Sequence, residues 1–370
     1  MERISGFATC EATAAYRDRM IPQSHPLFYR QSQGIWLSSL GMGTYLGTPD
    51  PTTDDKYMGI LSEGIQRGCN VLDTALNYRC QHSEKVIGKV IRSLVEQSLC
   101  QREELVISTK GGFLSVPKGQ EDYLAYFQRT YADHGLASME DLVMGCHCLA
   151  PEFIYSELEQ SLENMGLETL DIYFIHNPET QLESILPEML YERLYNLFLS
   201  MEDWVKAGKI RFYGIATWKG LRVEPDETEY LDLPRILSIA EEAGGQEHHL
   251  RALQFPYNMA MTESWLELNQ FCQGVPATVF SIAESRGMIT YASAPLLQGE
   301  LIGDMPDHLA SVLETLDRPA QKALQFARSV PGLSSCLVGM SHMSHLDENI
   351  ALAKIPPLSP EEYQTLLGIL

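Results

Sequence analysis

The chain has 370 residues, 45% hydrophobic and 21% charged, an ordinary globular composition with enough apolar residues for a large core. Its 49 Asp and Glu against 27 Lys and Arg leave a formal charge of −22, which weighs against nucleic acid and anionic membranes as partners, because both need a positive surface. The length fits either two average domains or one large α/β barrel.

Residues 1–30 hold no apolar segment of the signal-peptide kind, and no apolar run approaches the ~20 residues that span a bilayer. The eight cysteines are scattered without a C-x-x-C pair, so reduced thiols and a cytoplasmic location are expected. Cys146-His147-Cys148 lacks a second ligand pair at zinc spacing, and no metal is expected.

Phe28 to Leu37 reads as a hairpin element that pairs with the first barrel strand and plugs the barrel's base. Short apolar, β-branched runs then recur at 37–42, 70–73, 105–110, 171–176, 212–216, 252–255, 288–292 and 336–339. Continuous burial of this kind suits parallel strands covered on both faces. The spacing is 37 residues from Asp73 to Lys110, 38 from His176 to Gly214, 40 from Gly214 to Gln254 and 38 from Gln254 to Ala292. Eight strand–helix units at a near-fixed period predict one (β/α)8 TIM barrel over about 37–350, in a single domain covering 1–370. Helices are predicted towards Gly68, from Tyr155 to Met165 before Gly166, from Leu199 to Ala207 before Gly208, and after Ser359-Pro360.

One interval breaks the period: Lys110 to His176 is 66 residues. The excess, about 111–144, follows the third strand and carries Tyr123, Tyr126, Phe127 and Tyr131. It reads either as a lid or pocket element, or as a surface excursion packing its own aromatics. Lys219 to Pro234 is a second long, acidic loop, and His248-His249 reads as a solvated helix end.

Asp73, Lys110 and His176 close three successive apolar strands, and Tyr78 follows Asp73 by five residues. Barrel strand ends converge, so these four side chains should meet at the mouth. A buried charge costs several kcal/mol unless paired, so a purely structural Asp–Lys pair with a bonded His is one reading. The other is proton transfer: an ammonium beside a phenol favours the phenolate, and the Asp keeps the Lys charged. Such a site can protonate an alkoxide as it forms.

The runs Asp73-Thr74-Ala75-Leu76-Asn77-Tyr78, Ser83-Glu84-Lys85-Val86-Ile87-Gly88, Ile107-Ser108-Thr109-Lys110 and Leu170-Asp171-Ile172-Tyr173-Phe174-Ile175-His176 closely resemble the aldo/keto reductase superfamily. The resemblance implies a (β/α)8 fold, an oxidoreductase and NADP(H) at the barrel mouth. It casts Tyr78 as proton donor, Lys110 and Asp73 as its tuners, and His176 as the residue orienting the carbonyl. It places cofactor contacts at Gly43, Thr44, Tyr45, Asp73, Thr217, Gln254, Ser293, Ala294, Pro295, Leu296, Leu297, Gly339, Met340, Ser341, His345, Glu348 and Asn349. Tyr45, Tyr78, His176 and Trp218 would face the substrate, a small carbonyl or alcohol.

The chain departs from the family pattern in four places. Ala216-Thr217 stands where a Ser-Asn pair is common, and Ser293 where an aromatic often stacks on the nicotinamide. His345 replaces a frequent Arg and Gly339 an occasional Lys, so NAD(H) stays open beside NADP(H). The expected activity is hydride transfer to an aldehyde or ketone, or its reverse. The alternatives are a cofactor-binding regulatory or redox-sensing protein with little turnover, and a Schiff-base lyase using Lys110.

Overall fold

A computed structural model of the chain describes residues 2–117, 119, 122–303, 313 and 315–368; Lys118, Gln120 and Glu121 of the expected insertion lie outside the described residues. The first helix, α1 (Cys10–Met20), precedes a hairpin of β1 (Tyr29–Ser32) and β2 (Ile35–Ser38). The hairpin closes on itself and not on the first barrel strand, a correction with a local cause. Gln33 and Gly34 both take positive φ (49° and 73°), the geometry of the two-residue turn that matches strand twist. Leu37 and Ser38 therefore belong to the hairpin, and the first barrel strand starts only at Leu40.

The barrel strands are β3 (Leu40–Gly43), β4 (Val71–Asp73), β5 (Val106–Gly111), β6 (Leu170–His176), β7 (Ile210–Ala216) and β8 (Leu250–Pro256). After a small hairpin of β9 (Gln270–Cys272) and β10 (Val275–Ala277) come β11 (Ile289–Ser293) and β12 (Ser335–Gly339). All eight barrel strands pair in parallel, in the closed order β11-β12-β3-β4-β5-β6-β7-β8. The fold is thus the eight-stranded α/β barrel, with the N-terminal hairpin at its base. Ala8, Ile35 and Leu37 join Val71, Val106, Ile172, Phe174, Ala252 and Tyr291 in one buried cluster, so the N-terminal segment caps the barrel interior. Asp171 ties it down: its carboxylate accepts from Ala8 N (2.6 Å), Ile107 N (2.8 Å) and Arg102 Nη2 (2.8 Å).

The outer helices begin earlier than their apolar spacing marks, because proline opens them. The helix expected near Gly68 is α2 (Pro51–Gln66), with Asp50 as N-cap to Thr53 N. Next come α3 (His82–Glu96), then α4 (Tyr123–Thr130) within the insertion. The helix expected from Tyr155 is α5 (Pro151–Met165), closed by Gly166 at φ +64°; that from Leu199 is α6 (Pro187–Lys206). The final helix, Pro360–Leu366, carries a capping box between Ser359 and Glu362.

The excursion after β5 returns to the regular pattern only at Pro151. Its helix α4 packs outward: Phe127 and Tyr131 meet Phe153 of α5 at ring-centroid distances of 5.9 and 4.7 Å. Its two ends behave differently. Phe113 and His147 pair across an isolated β-bridge next to His176. Among the described residues no helix is long and apolar enough to cross a membrane.

Candidate active site

In a parallel barrel all strand C-termini open on one rim. That rim holds Asp73 (β4), Lys110 (β5), His176 (β6), Gln254 (β8), Ser293 (β11) and Gly339 (β12). Lys110 Nζ donates to Asp73 Oδ2 at 2.6 Å and to the Thr74 carbonyl at 2.7 Å. Asp73 Oδ1 accepts from Ser108 Oγ at 2.7 Å. The ammonium sits 5.0 Å from the centre of the Tyr78 ring. His176 lies 5.9 Å from that ring and Tyr45 5.0 Å from it, both edge-on. The four side chains expected to meet at the mouth do meet there.

Burial pushes the Tyr78 phenol up, while the charge and hydrogen bond of Lys110 pull it down; the balance is upward. Burial works to lower Lys110, but Asp73 and Tyr78 outweigh it and the ammonium is retained. His176 is held well below the ordinary imidazole value, first by burial and then by the charge of Lys110, so its ring is neutral. The site therefore presents a protonated phenol, a cation behind it and a neutral imidazole beside it.

The expected cofactor positions lie along the same rim. Gly43 ends β3, and Thr44 donates through Oγ1 to the Asp73 carbonyl at 3.2 Å, while Tyr45 is exposed. Gln254 is buried, and among the described residues its Nε2 has no partner, a donor left free for a ligand carbonyl. The hydroxyl of Thr217 accepts from Gly220 N at 2.8 Å, so it is already used in shaping the loop after β7. Ser293 leads into Ala294, Pro295, Leu296 and Leu297; the turn is strained at Ala294 (φ +49°) and Leu297 (φ +44°) and pinned by Asn258 Nδ2 on the Ala294 carbonyl. Beyond β12, Met340 is buried and Ser341 exposed. His345, Glu348 and Asn349 lie on the helix Met343–Ile350. Trp218 is half-exposed at the mouth.

Several residues at the site carry no signal in the sequence. Glu179 is buried and accepts from Trp218 N (2.7 Å) and Lys219 N (3.0 Å), anchoring the loop that bears Trp218. Phe113 stands edge-on to both His176 and His147, at 5.0 and 4.8 Å. His147, in the Cys146-His147-Cys148 run, bonds protein groups. Among the described residues no group of three or more His, Cys, Asp and Glu is placed to hold a metal ion. His248-His249 departs from the solvated helix end expected: His248 is buried, and His249 Nδ1 lies 2.7 Å from Glu202 Oε2.

Residues 39–370 match the family model described as Aldo/keto reductase family. The chain belongs to the aldo/keto reductase family. It is 24% identical to the uncharacterized oxidoreductase YqkF of Bacillus subtilis over 89% of this chain and 92% of the relative. It is 26% identical to the NADH-specific methylglyoxal reductase of Escherichia coli over 73% of this chain and 67% of that protein. Among solved structures, an aldo/keto reductase from Klebsiella pneumoniae in complex with NADP and acetate superposes with a TM-score of 0.61. It is 20% identical, with 91% of this chain and 93% of that one covered, a likeness in fold. Membership of this family makes the chain an oxidoreductase acting on carbonyls.

Proposed function

We propose that this aldo/keto reductase reduces an aldehyde or ketone to the alcohol with NADP(H), Tyr78 giving the proton, and acts as a single barrel domain in the cytoplasm. The observation that carries it is the ammonium of Lys110, locked on Asp73 at 2.6 Å and lying 5.0 Å from the Tyr78 ring. When bound, the dihydronicotinamide supplies the hydride. The Nε2 of buried Gln254, without a partner among the described residues, fits its carboxamide, and Gly43, Ser293 and Gly339 end strands on the same rim. Ser341 and His345 offer the polar groups nearest the adenosine end, where Glu348 and Asn349 would meet the adenine.

In this reading His176, neutral and beside the phenol, steers the substrate oxygen towards Tyr78. The phenol hands its proton to the oxygen as negative charge builds, and Lys110 steadies the phenolate left behind. Tyr45 and Trp218 flank the carbon side, which favours an apolar substituent on the carbonyl. The lyase alternative loses support from the same pair, because an ammonium held by Asp73 and the Thr74 carbonyl is a poor nucleophile. All eight cysteines are unpaired, in keeping with a reducing compartment.

The test is cofactor fluorescence with NADPH and NADH in separate titrations, followed by turnover on an aldehyde panel. Tight NADPH binding with reduction supports the proposal. Preference for NADH corrects the cofactor, and a tight complex without turnover moves the chain to the regulatory reading.

A further inference from the structure

The end of the excursion after β5 carries a relay that finishes on His176. Arg193 of α6 donates through Nη1 to Gln181 Oε1. A guanidinium can only donate, so the amide oxygen of Gln181 faces Arg193 and the amide nitrogen faces the other way. That nitrogen lies 2.7 Å from His147 Nδ1 and 3.3 Å from the His147 carbonyl. Nδ1 must then accept, which places the ring proton on Nε2. His147 Nε2 lies 2.7 Å from the His176 carbonyl and donates to it.

The His176 ring has no such anchor. Among the described residues it makes no hydrogen bond, and its buried Nδ1 has no partner. Its aim depends on its backbone and on two edge-on rings, Phe113 at 5.0 Å and Tyr78 at 5.9 Å. The backbone is under constraint: Asn177 takes φ +46°, with its N–H on the Ala216 carbonyl. Gly112 leaves room for the relay, since a Cβ there would come 3.1 Å from His147 Nε2, and its φ is +130°.

We propose that His147 is a positioning residue: Gln181 fixes its neutral Nε2–H tautomer, and through the His176 carbonyl it sets the ring that steers the substrate oxygen. This couples the excursion and helix α6 to the site, and it rests on the role proposed for His176. The charged and titratable groups facing His147 are Arg193, its neighbour Asp141 at 3.7 Å, and His176 itself.

The experiment combines spectroscopy with kinetics on the full chain. Histidine-selective 15N NMR near neutral pH should show His147 as the neutral Nε2–H form; a charged ring or the Nδ1–H form overturns the proposal. Gln181→Glu puts an acceptor against Nδ1 and should turn His147 into the cation, moving the His176 ring signals and making reduction pH-dependent across neutrality. With NADPH and 4-nitrobenzaldehyde as probe, His147→Leu should lower kcat/KM by about ten- to a hundred-fold with NADPH affinity unchanged, as a small misplacement does. His147→Gln, which keeps an N–H donor, should recover most of it. Wild-type kcat/KM in His147→Leu and a flat pH profile in Gln181→Glu overturn it. Should the wild type reduce no aldehyde, the proposed function fails, and the tautomer and the His176 signals still decide the relay.

Discussion

Lys110 Nζ lies 2.6 Å from Asp73 Oδ2, and both residues are buried. A buried pair of this kind adds little net stability, yet breaking one side strands the other charge. Asp73→Asn is therefore expected to cost about 3 kcal/mol, read from the urea midpoint, and to abolish most turnover. An unchanged midpoint would mean that the Thr74 carbonyl alone satisfies the ammonium.

Tyr78→Phe removes the phenol proposed as proton donor and little else. Reduction should fall by about 10²–10⁴-fold while NADPH quenching stays as in the wild type. Because burial holds the phenol above its usual value near 10, the wild-type reduction rate should be level from neutral pH into the alkaline range. Lys110→Met removes the opposing cation and should make the phenol harder still to ionise.

The loop that presents Tyr78 is strained. Arg79, Cys80 and Gln81 take φ of 50°, 52° and 69°, three successive left-handed residues with side chains. Arg79 is compensated by bonds to the Thr48 carbonyl and Asp54, and Gln81 by Asn164. The Cys80 thiol makes no hydrogen bond among the described residues. Cys80→Gly should raise stability by about 1 kcal/mol, the relief of strain less the entropy glycine adds to the unfolded chain. A lower melting temperature would show that thiol packing outweighs the backbone.

The strand positions are legible because a barrel strand must be apolar on both faces, and the three polar strand ends stand out against those runs. Leu37 and Ser38 mislead, since the same apolar run crosses from the hairpin into the barrel and only the turn at Gln33-Gly34 divides it. Proline-led helix starts are underread: Pro51, Pro151 and Pro187 open their helices well before the residues that mark them in the sequence. Glu179 carries no local pattern, and the only pattern around His147, Cys146-His147-Cys148, points to metal and not to His176. Their meaning comes from chain segments 29 and 39 residues apart, joined only by the fold.

His147 also sets a pH dependence. Burial lowers its pKa to about 4, against 6.5 in the unfolded chain. Below that unfolded value the unfolded state takes up a proton that the folded state refuses. Stability should thus be complete above neutrality and fall by about 3 kcal/mol between pH 6.5 and 4. His176, lowered in the same direction, steepens the fall. Urea titrations across this window test it: His147→Gln should flatten the slope, and a slope equal to the wild type's would remove His147 as its source.

Glu157 works in the opposite sense. It is buried, accepts from Gly112 N at 2.8 Å through Oε2, and leaves Oε1 without a partner among the described residues. Burial, with Glu84 nearby, holds its carboxyl well above the usual range. The unfolded chain ionises Glu157 from its ordinary value upward, whereas the folded chain keeps the proton. Stability supplied by the neutral carboxyl is therefore present in acid and lost as pH rises through the folded value. Glu157→Gln keeps an oxygen for Gly112 N and cannot ionise. It should match the wild type near pH 4 and exceed it by about 1–3 kcal/mol at pH 8, read from urea midpoints at both. Equal differences at the two pH values would mean that amide packing, and not the carboxyl proton, sets the change.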